Sequence, residues 1–204
     1  EVSTVKKKNW YLTIGTILTS AMVLFSVVGI FWQPCVPTAM SGADRYAKPS
    51  AAHLFGCDQM GRDILSRTLD GAATTLMIAL AVLAVGFVFG LVIGALCGYY
   101  GGPADAFIMR ICDAIAAFPS ILLGLVVIAV IGSGKYNVIL ALGILFIPSF
   151  ARLVRGEFIK YRDRDFVQSA RLMKVSAPRI IFVHILPNTW PTLLSGLTIG
   201  FNNA

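Results

Sequence analysis

Residues 71–98 read GAATTLMIALAVLAVGFVFGLVIGALCG and contain no Asp, Glu, Lys or Arg. A helix needs about 20 mostly apolar residues to cross the hydrocarbon core of a bilayer, and this run is longer. Four further stretches lack charged residues, and they cover residues 9–43, 114–134, 136–151 and 180–204. The sequence therefore predicts an all-α protein, a polytopic bundle of transmembrane helices.

The composition is typical of a membrane protein. Hydrophobic residues make up 57% of the 204 residues and charged residues only 13%, whereas soluble domains carry roughly 25% charged residues. The mean hydropathy is +0.79. Because Glu1 is not a start methionine and the last apolar stretch runs to Ala204, we expect a fragment that ends within its fifth transmembrane helix.

The distribution of basic residues predicts the orientation in the membrane. Lys6, Lys7 and Lys8 precede the first apolar stretch, which favours a cytoplasmic N-terminus. Residues 33–70 then lie outside the cell, and residues 152–179 return to the cytoplasm with eight basic and three acidic residues, a surplus of five. The net charge of +7 thus reflects topology, and we expect no nucleic-acid partner.

These signals divide the chain into four parts. They are a cytoplasmic segment (residues 1–9), a first transmembrane helix (10–32), an extracytoplasmic segment with a surface helix (33–70) and a core (71–204) that contains a cytoplasmic region at 152–183. The surface helix is predicted from Ile64, Leu65 and Leu69, which are interspersed with polar residues, and a solvated loop is the alternative. The first helix is interpreted as an anchor rather than a cleaved signal sequence.

The sequence offers no catalytic or metal-binding motif. Cys35, Cys57, Cys97 and Cys112 lack metal-ligand spacing. No H-E-x-x-H pair and no G-x-x-x-x-G-K-[ST] phosphate loop is present. A disulfide between Cys35 and Cys57 is possible, since both lie in the predicted extracytoplasmic segment. We expect no enzyme activity, no metal site and no cofactor in the chain itself.

Small residues recur at a helical spacing in the second apolar stretch. Four glycines share one helical face: Gly86, Gly90, Gly94 and Gly98. Such a row allows close helix approach, either to a partner or path, or within this chain. Arg110 and Asp113 are three residues apart and are predicted to pair on one helix, with a substrate role as the alternative.

Two prolines within apolar stretches predict a transport path. Each removes a backbone hydrogen bond and favours a kink, which is tolerated at membrane depth beside protein or a water-filled cavity. The residues assigned to the path are Pro119, Ser120, Pro148 and Ser149.

Residues 165–174 form a basic, polar island between two apolar stretches. Asp165 followed by Gln168 is a variant of the capping box and predicts a helix start. Phe166, Val167 and Ala170 offer an apolar patch for another protein, and a plain surface helix on the bilayer is the alternative. The residues assigned to this contact are Asp165, Phe166, Val167, Gln168, Ser169, Ala170, Met173 and Lys174.

Several motifs resemble the second permease subunit of dipeptide/oligopeptide ATP-binding-cassette (ABC) importers. Residues 53–67 read HLFGCDQMGRDILSR and are similar to the family's H-x-F-G-T-D-x-x-G-R-D-x-x-S-R. Further similar motifs are GYYGG (98–102), AFPS (117–120), NVILAL (137–142) and ARLVRGE (151–157). The resemblance covers roughly residues 50–204.

The family's cytoplasmic signature is E-A-A, three residues, Gly, nine residues and I-x-L-P. Here residues 168–170 read QSA, Lys174 stands at the glycine position, and residues 184–187 read HILP. If the glycine position requires a left-handed backbone, Lys174 costs roughly 1–2 kcal/mol there. The alternative is a longer helix that continues through Lys174.

The resemblance implies a six-helix, multi-pass permease of the bacterial cytoplasmic (inner) membrane, of which about five helices are present. It implies a homologous first permease subunit, one or two ABC ATPase subunits that bind ATP and Mg, an extracytoplasmic substrate-binding protein and membrane lipid as partners. The helix at 165–173 would transmit ATPase closure to the membrane helices. An Ala170→Asp variant is therefore expected to uncouple ATP hydrolysis from uptake without preventing membrane insertion.

The cargo stays open between peptides and three alternatives, which are nickel, a metal–metallophore complex and glutathione. A self-contained channel or secondary transporter is a hypothesis of a different class. It predicts a protein that functions without an ATPase and an inverted internal repeat, and no such repeat is visible in the sequence.

Overall fold

The computed structural model describes residues 10–132 and 134–203. These residues form α1 (Trp10–Phe31), α2 (Ile64–Tyr100), α3 (Gly102–Ala116), α4 (Ser120–Ile131), α5 (Lys135–Arg162), α6 (Asp165–Leu172), α7 (Ala177–Arg179), a π-helical turn (Ile180–Ile185) and α8 (Leu186–Asn203). The described residues contain no strand, only an isolated bridge between Cys57 and Asp63. The predicted all-α fold is confirmed, and the chain is a polytopic bundle of membrane helices.

Four helical segments in the described ranges are long and apolar enough to cross a membrane. They are Trp10–Phe31, Ile64–Tyr100, Lys135–Arg162 and Ala177–Asn203. A fifth span exists if α3 and α4 count as one, since these helices are bent by 89° at a short break.

Proline acts differently at its two predicted kinks. Pro148 lies inside α5, which continues through it. Pro119, in contrast, directly precedes α4 with an extended backbone (ψ 121°), so the helix is interrupted between Ala116 and Ser120 rather than kinked. The residue before a proline avoids the helical region, which explains the interruption at Phe118.

The chain forms two compact units, Glu1–Met77 and Ile78–Ala204. In the first unit, α1 is followed by a segment without regular helix (residues 32–63), which we call the loop segment. Gly29 of α1 lies so close to α2 that an added Cβ would come within 2.3 Å of the Leu69 carbonyl oxygen. Close approach of α1 and α2 therefore requires glycine at this position.

The predicted separate surface helix is wrong. Ile64, Leu65 and Leu69 belong to the first turns of α2, which continues without a break through Asp70 and Gly71. Leu65 and Leu69 are buried, so these turns pack against protein instead of lying on a membrane surface. One glycine in a helix interior costs only about 1 kcal/mol relative to alanine, so α2 can continue through Gly71.

In the second unit, the glycine row of α2 packs against α5. A Cβ added to Gly86, Gly90 or Gly98 would lie 2.5–2.6 Å from the Cβ of Phe146, Phe150 or Phe158, respectively. At Gly94 it would meet the Ala151 carbonyl oxygen at 2.5 Å. Packing within the chain therefore accounts for the row, and the alternative of a partner or path is not needed.

Candidate functional site

Helix α6 is docked onto the inner core of the second unit through one face. Val167 is fully buried and Ala170 is 2% exposed, and both belong to a cluster that includes Val154 and Phe158 of α5. The π-helical turn contributes Ile185 to the same cluster. Because the cluster draws residues from α2, α5, the π-helical turn and α8 as well as from α6, α6 is fixed to the helices that lead into the membrane.

The remaining surface of α6 is exposed and carries three large apolar side chains. Phe166 is 41% exposed, and Leu172 and Met173 are more exposed still, at 85% and 73%. Gln168, Ser169 and Lys174 also face outward. An eight-residue helix with both a buried and an exposed apolar side suits a connection between the core and a second protein.

The expected composition of the apolar patch is wrong in part. The sequence placed Phe166, Val167 and Ala170 together on the free surface, but Val167 and Ala170 point into the core. Only Phe166 and Met173 of the predicted patch are exposed, and Leu172, which the sequence reasoning left out, joins them. Val167 and Ala170 stand three residues apart and share a helical face, but Phe166 and Ala170 are also at a helical spacing, so the sequence does not show which face the core covers.

The predicted capping box is also wrong. Asp165 is the first helical residue, not the cap, and the capping position is Arg164 with an extended backbone and no side-chain cap. The Arg164 carbonyl oxygen accepts hydrogen bonds from the Val167 and Gln168 N–H groups at 2.9 and 3.0 Å. As a first-turn residue, Asp165 instead places its negative charge near the positive end of the helix dipole.

Helix α6 ends in a left-handed turn at Lys174, where φ is 56°. The Lys174 N–H donates to the Arg171 carbonyl at 2.9 Å, and the Val175 N–H donates to the Ala170 carbonyl at 3.1 Å. These two bonds form a Schellman motif, whose left-handed position favours glycine. The alternative of a helix that continues through Lys174 is excluded, and the lysine occupies a strained backbone conformation.

A second candidate feature is a pocket where α3, α4 and α5 meet. Its volume is about 270 Å³, and Ser120, Pro148, Ser149 and Arg152 are among its lining residues. Three of the four residues assigned to a transport path thus lie around one pocket. Pro119 is absent from the lining because it forms the turn that starts α4.

An ion pair stands beside this pocket. Arg152 Nη1 and Asp113 Oδ1 are 3.2 Å apart, which links α5 to α3. The predicted pair of Asp113 with Arg110 on the same helix is therefore wrong, because Asp113 finds its partner across the helix interface. Both side chains of the observed pair are substantially exposed, so the pair can open at little cost.

The cysteines considered for a disulfide, Cys35 and Cys57, are free thiols in the structure. Cys57 is buried, and its withdrawal from water and nearby carboxylates, Asp44 foremost, raise the pKa of this thiol. Cys35 is partly exposed and lies near other polar side chains of the loop segment. The structure therefore shows no covalent link between these two residues.

Residues 86–204 match the family described as binding-protein-dependent transport system inner membrane component. This match covers more than half of the chain, including the pocket and α6. The chain belongs to this family. It is thus an ABC importer permease polypeptide by family, and the resemblance expected from the motifs is confirmed.

Three relatives illustrate the range of the permease family around this chain. A dipeptide transport system permease protein of Alkalihalophilus pseudofirmus is 35% identical over 198 residues, which cover 97% of this chain and 65% of that protein. A glutathione transport system permease protein of Pectobacterium atrosepticum is 47% identical over 141 residues (69% of this chain, 47% of that protein). One of Escherichia coli is 42% identical over 188 residues (89% and 62%). The permease chain spans about half to two thirds of these relatives.

Proposed function

We propose that this permease polypeptide is part of an ABC importer that carries small peptides across the bacterial cytoplasmic membrane, driven by ATP hydrolysis in a partner subunit. The observation that carries the proposal is the two-sided packing of α6. Its buried residues, Val167 and Ala170, connect it to α5, while Phe166, Leu172 and Met173 remain available to a partner. The absence of a phosphate-loop sequence in the chain is consistent with an ATPase on another subunit.

In this mechanism α6 transmits motion rather than performing chemistry. Closure of the ATPase pair would displace the exposed face of α6, and the buried face would pass the displacement to Val154 and Phe158 in α5. To shift the ratio of two conformational states of the gate from 1:99 to 99:1, nucleotide binding must favour one state over the other by about 5.5 kcal/mol. A contact that carries such a difference needs a rigid attachment, and full burial of Val167 supplies it.

The pocket between α3, α4 and α5 favours a peptide over a bare metal ion as cargo. Its lining supplies the Ser120 and Ser149 hydroxyls and the Arg152 guanidinium, which suit peptide carbonyl and carboxylate groups. None of the lining residues carries a carboxylate or an imidazole. Relatives named for dipeptide and for glutathione transport point to the same substrate class, since glutathione is itself a short peptide.

The proposed assembly includes a homologous first permease subunit, one or two ABC ATPase subunits that hold ATP and Mg, and an extracytoplasmic binding protein. The test is to tag the full-length gene product, purify it gently from native membranes and identify co-purifying proteins by mass spectrometry. A second permease and an ATPase support the importer. A homo-oligomer without any ATPase under mild detergent conditions would favour the channel or secondary-transporter alternative.

Cargo is then assigned by uptake into proteoliposomes that contain the purified assembly, its binding protein and internal ATP. Labelled dipeptide, glutathione and nickel are offered separately. ATP-dependent accumulation of dipeptide or glutathione supports the proposed substrate class, whereas accumulation of nickel alone overturns it.

A further inference from the structure

Three metal-ligating side chains from separate parts of the loop segment meet at one point. The Cys35 Sγ, a ring nitrogen of His53 and a carboxylate oxygen of Asp63 all lie within 4.8 Å of one another. His53 Nδ1 and Asp63 Oδ1 are 3.1 Å apart. Thiolate, imidazole and carboxylate are the three ligand types that Zn²⁺ takes from proteins. All three residues lie in the first compact unit, far along the sequence from α6.

Ser66 positions the Asp63 carboxylate and the backbone of Cys35. Asp63 Oδ2 accepts hydrogen bonds from the Ser66 N–H at 2.8 Å and from the Ser66 hydroxyl at 2.7 Å. The Ser66 Oγ in turn accepts the Cys35 N–H at 2.9 Å. Asp63 Oδ1 is left to face His53. Outer hydrogen bonds of this kind hold metal ligands in place and raise affinity.

The burial of the cluster suits a site that an ion can enter. Asp63 is 4% exposed, which fixes the carboxylate, while Cys35 and His53 are partly exposed and leave an opening to solvent. An ordinary hydrogen bond between His53 and Asp63 accounts for two of the residues but gives no reason for a thiol beside them. The three-residue arrangement is what distinguishes a metal site from that simple pair.

We propose that Cys35, His53 and Asp63 bind one Zn²⁺ ion, with water as the fourth ligand. Zinc bonds of about 2.0–2.3 Å place tetrahedral ligand atoms about 3.3–3.6 Å apart, so closure by about 1 Å completes the site. Binding would release the thiol proton of Cys35 and any proton on the His53 nitrogen that coordinates the metal. The ion would tie the residues that follow α1 to the start of α2, and so stabilise the loop segment.

The test uses the full-length protein, purified in detergent through a tag that contains no histidine. Bound zinc is measured by plasma mass spectrometry, and the chelated protein is then titrated with Co²⁺ alone. We expect about one zinc per chain and, with Co²⁺, the near-ultraviolet absorption of thiolate-to-cobalt charge transfer. Cys35→Ser should abolish this band, and His53→Gln should weaken Co²⁺ binding by at least tenfold.

The matched control is Cys57→Ser, which removes a neighbouring buried thiol outside the three-residue cluster and should keep the band. A wild-type protein without the band, or a Cys35→Ser variant that keeps it, overturns the proposal. A band that disappears in Cys57→Ser but persists in Cys35→Ser assigns any metal to a different, adventitious thiol and also overturns it. Peptide uptake is not part of this readout, so the result is independent of the proposed transport function.

Discussion

Arg155 of α5 and Asp105 of α3 form a two-point ion pair. Arg155 Nε donates to Asp105 Oδ1 at 2.5 Å, and Nη2 donates to Oδ2 at 2.6 Å. The Asp105 side chain is 9% exposed and that of Arg155 is 33% exposed. Because both donors of the guanidinium fork engage both carboxylate oxygens, this pair fixes the rotation of α5 relative to α3 as well as their distance.

Asp105→Asn should lower the stability of the permease. The loss should lie between the about 1 kcal/mol of an exposed pair and the about 3–5 kcal/mol of a fully buried one, because Arg155 keeps partial access to water. Thermal unfolding in detergent measures it. Asp163→Asn is the control, since Asp163 is exposed and pairs with its neighbour Arg162. Equal melting temperatures for Asp105→Asn and wild type would contradict the structural role of the pair.

Gly94→Ala should destabilise the packing of α2 on α5. The added methyl would lie 2.5 Å from the Ala151 carbonyl oxygen, and backbone cannot move aside as a flexible side chain can. Overpacking of this kind costs typically 1–3 kcal/mol. Gly71→Ala is the matched control, because it lies in the same helix with no atom within 4 Å of the added Cβ. Thermal unfolding should therefore separate the two variants, and similar values would argue against the close contact.

The two faces of α6 should respond differently to an added charge. Phe166→Asp should leave the permease folded but weaken co-purification of the proposed ATPase partner, because Phe166 is exposed. Ala170→Asp should instead detach α6 from the core and destabilise the permease, since it buries an unpaired carboxylate in the core cluster. This replaces the sequence-based expectation for Ala170→Asp of uncoupling in an otherwise intact protein. Size-exclusion profiles and pull-down yields, measured together, distinguish the outcomes, and a stable Ala170→Asp permease would contradict the inward packing.

Lys174→Gly should stabilise the permease by about 1 kcal/mol. Lys174 has a φ of 56°, a conformation that costs an L-residue roughly 1–2 kcal/mol and glycine much less. Met173→Gly is the control, because Met173 has a φ of −76° and gains nothing from glycine. A rise in melting temperature for Lys174→Gly alone is the expected pattern, and a fall for both variants would exclude strain at Lys174.

Asp58 should make the loop segment resistant to moderately acidic conditions. Partial withdrawal from water raises the pKa of Asp58, but the Arg62 and Met60 N–H groups and the Arg62 guanidinium outweigh this effect and lower the pKa to about 2. Since the folded-state pKa lies below the unfolded value of about 3.9, the carboxylate stabilises the fold above pH 4 and loses this effect as the pH falls towards 2.

Pepsin digestion followed by mass spectrometry tests this pH dependence. Wild-type protein should resist cleavage between residues 44 and 63 at pH 4 and lose resistance near pH 2, whereas Asp58→Asn should be cleaved at both. Asp44→Asn removes the same charge nearby without these hydrogen bonds and should behave like wild type. Resistance of Asp58→Asn at pH 4 would show that the carboxylate is dispensable.

Helix content and membrane character could be predicted from sequence because they follow from local runs of apolar residues. The end of α6 was one of two outcomes that the sequence left open, a left-handed turn at Lys174 or a longer helix, and the structure shows the turn. The partner of Asp113 and the inward placement of Ala170 could not be predicted, because both depend on which helix lies alongside. The cluster of Cys35, His53 and Asp63 could not be predicted either, because only the folded loop segment brings these distant positions together.

The glycine row of α2 has a mechanical consequence for any gating movement. Its glycines recur every four residues and face α5 residues that also recur every four, Phe146, Phe150 and Phe158 among them. The two helices can therefore slide past one another only in whole steps of about 6 Å, the rise of four helical residues. A smaller shift would bring the Cβ atoms of these α5 residues into contact with the α2 backbone between the glycines. We therefore expect the inner part of α2 and α5 to travel together during transport, with the displacement taken up at the interrupted joint between α3 and α4.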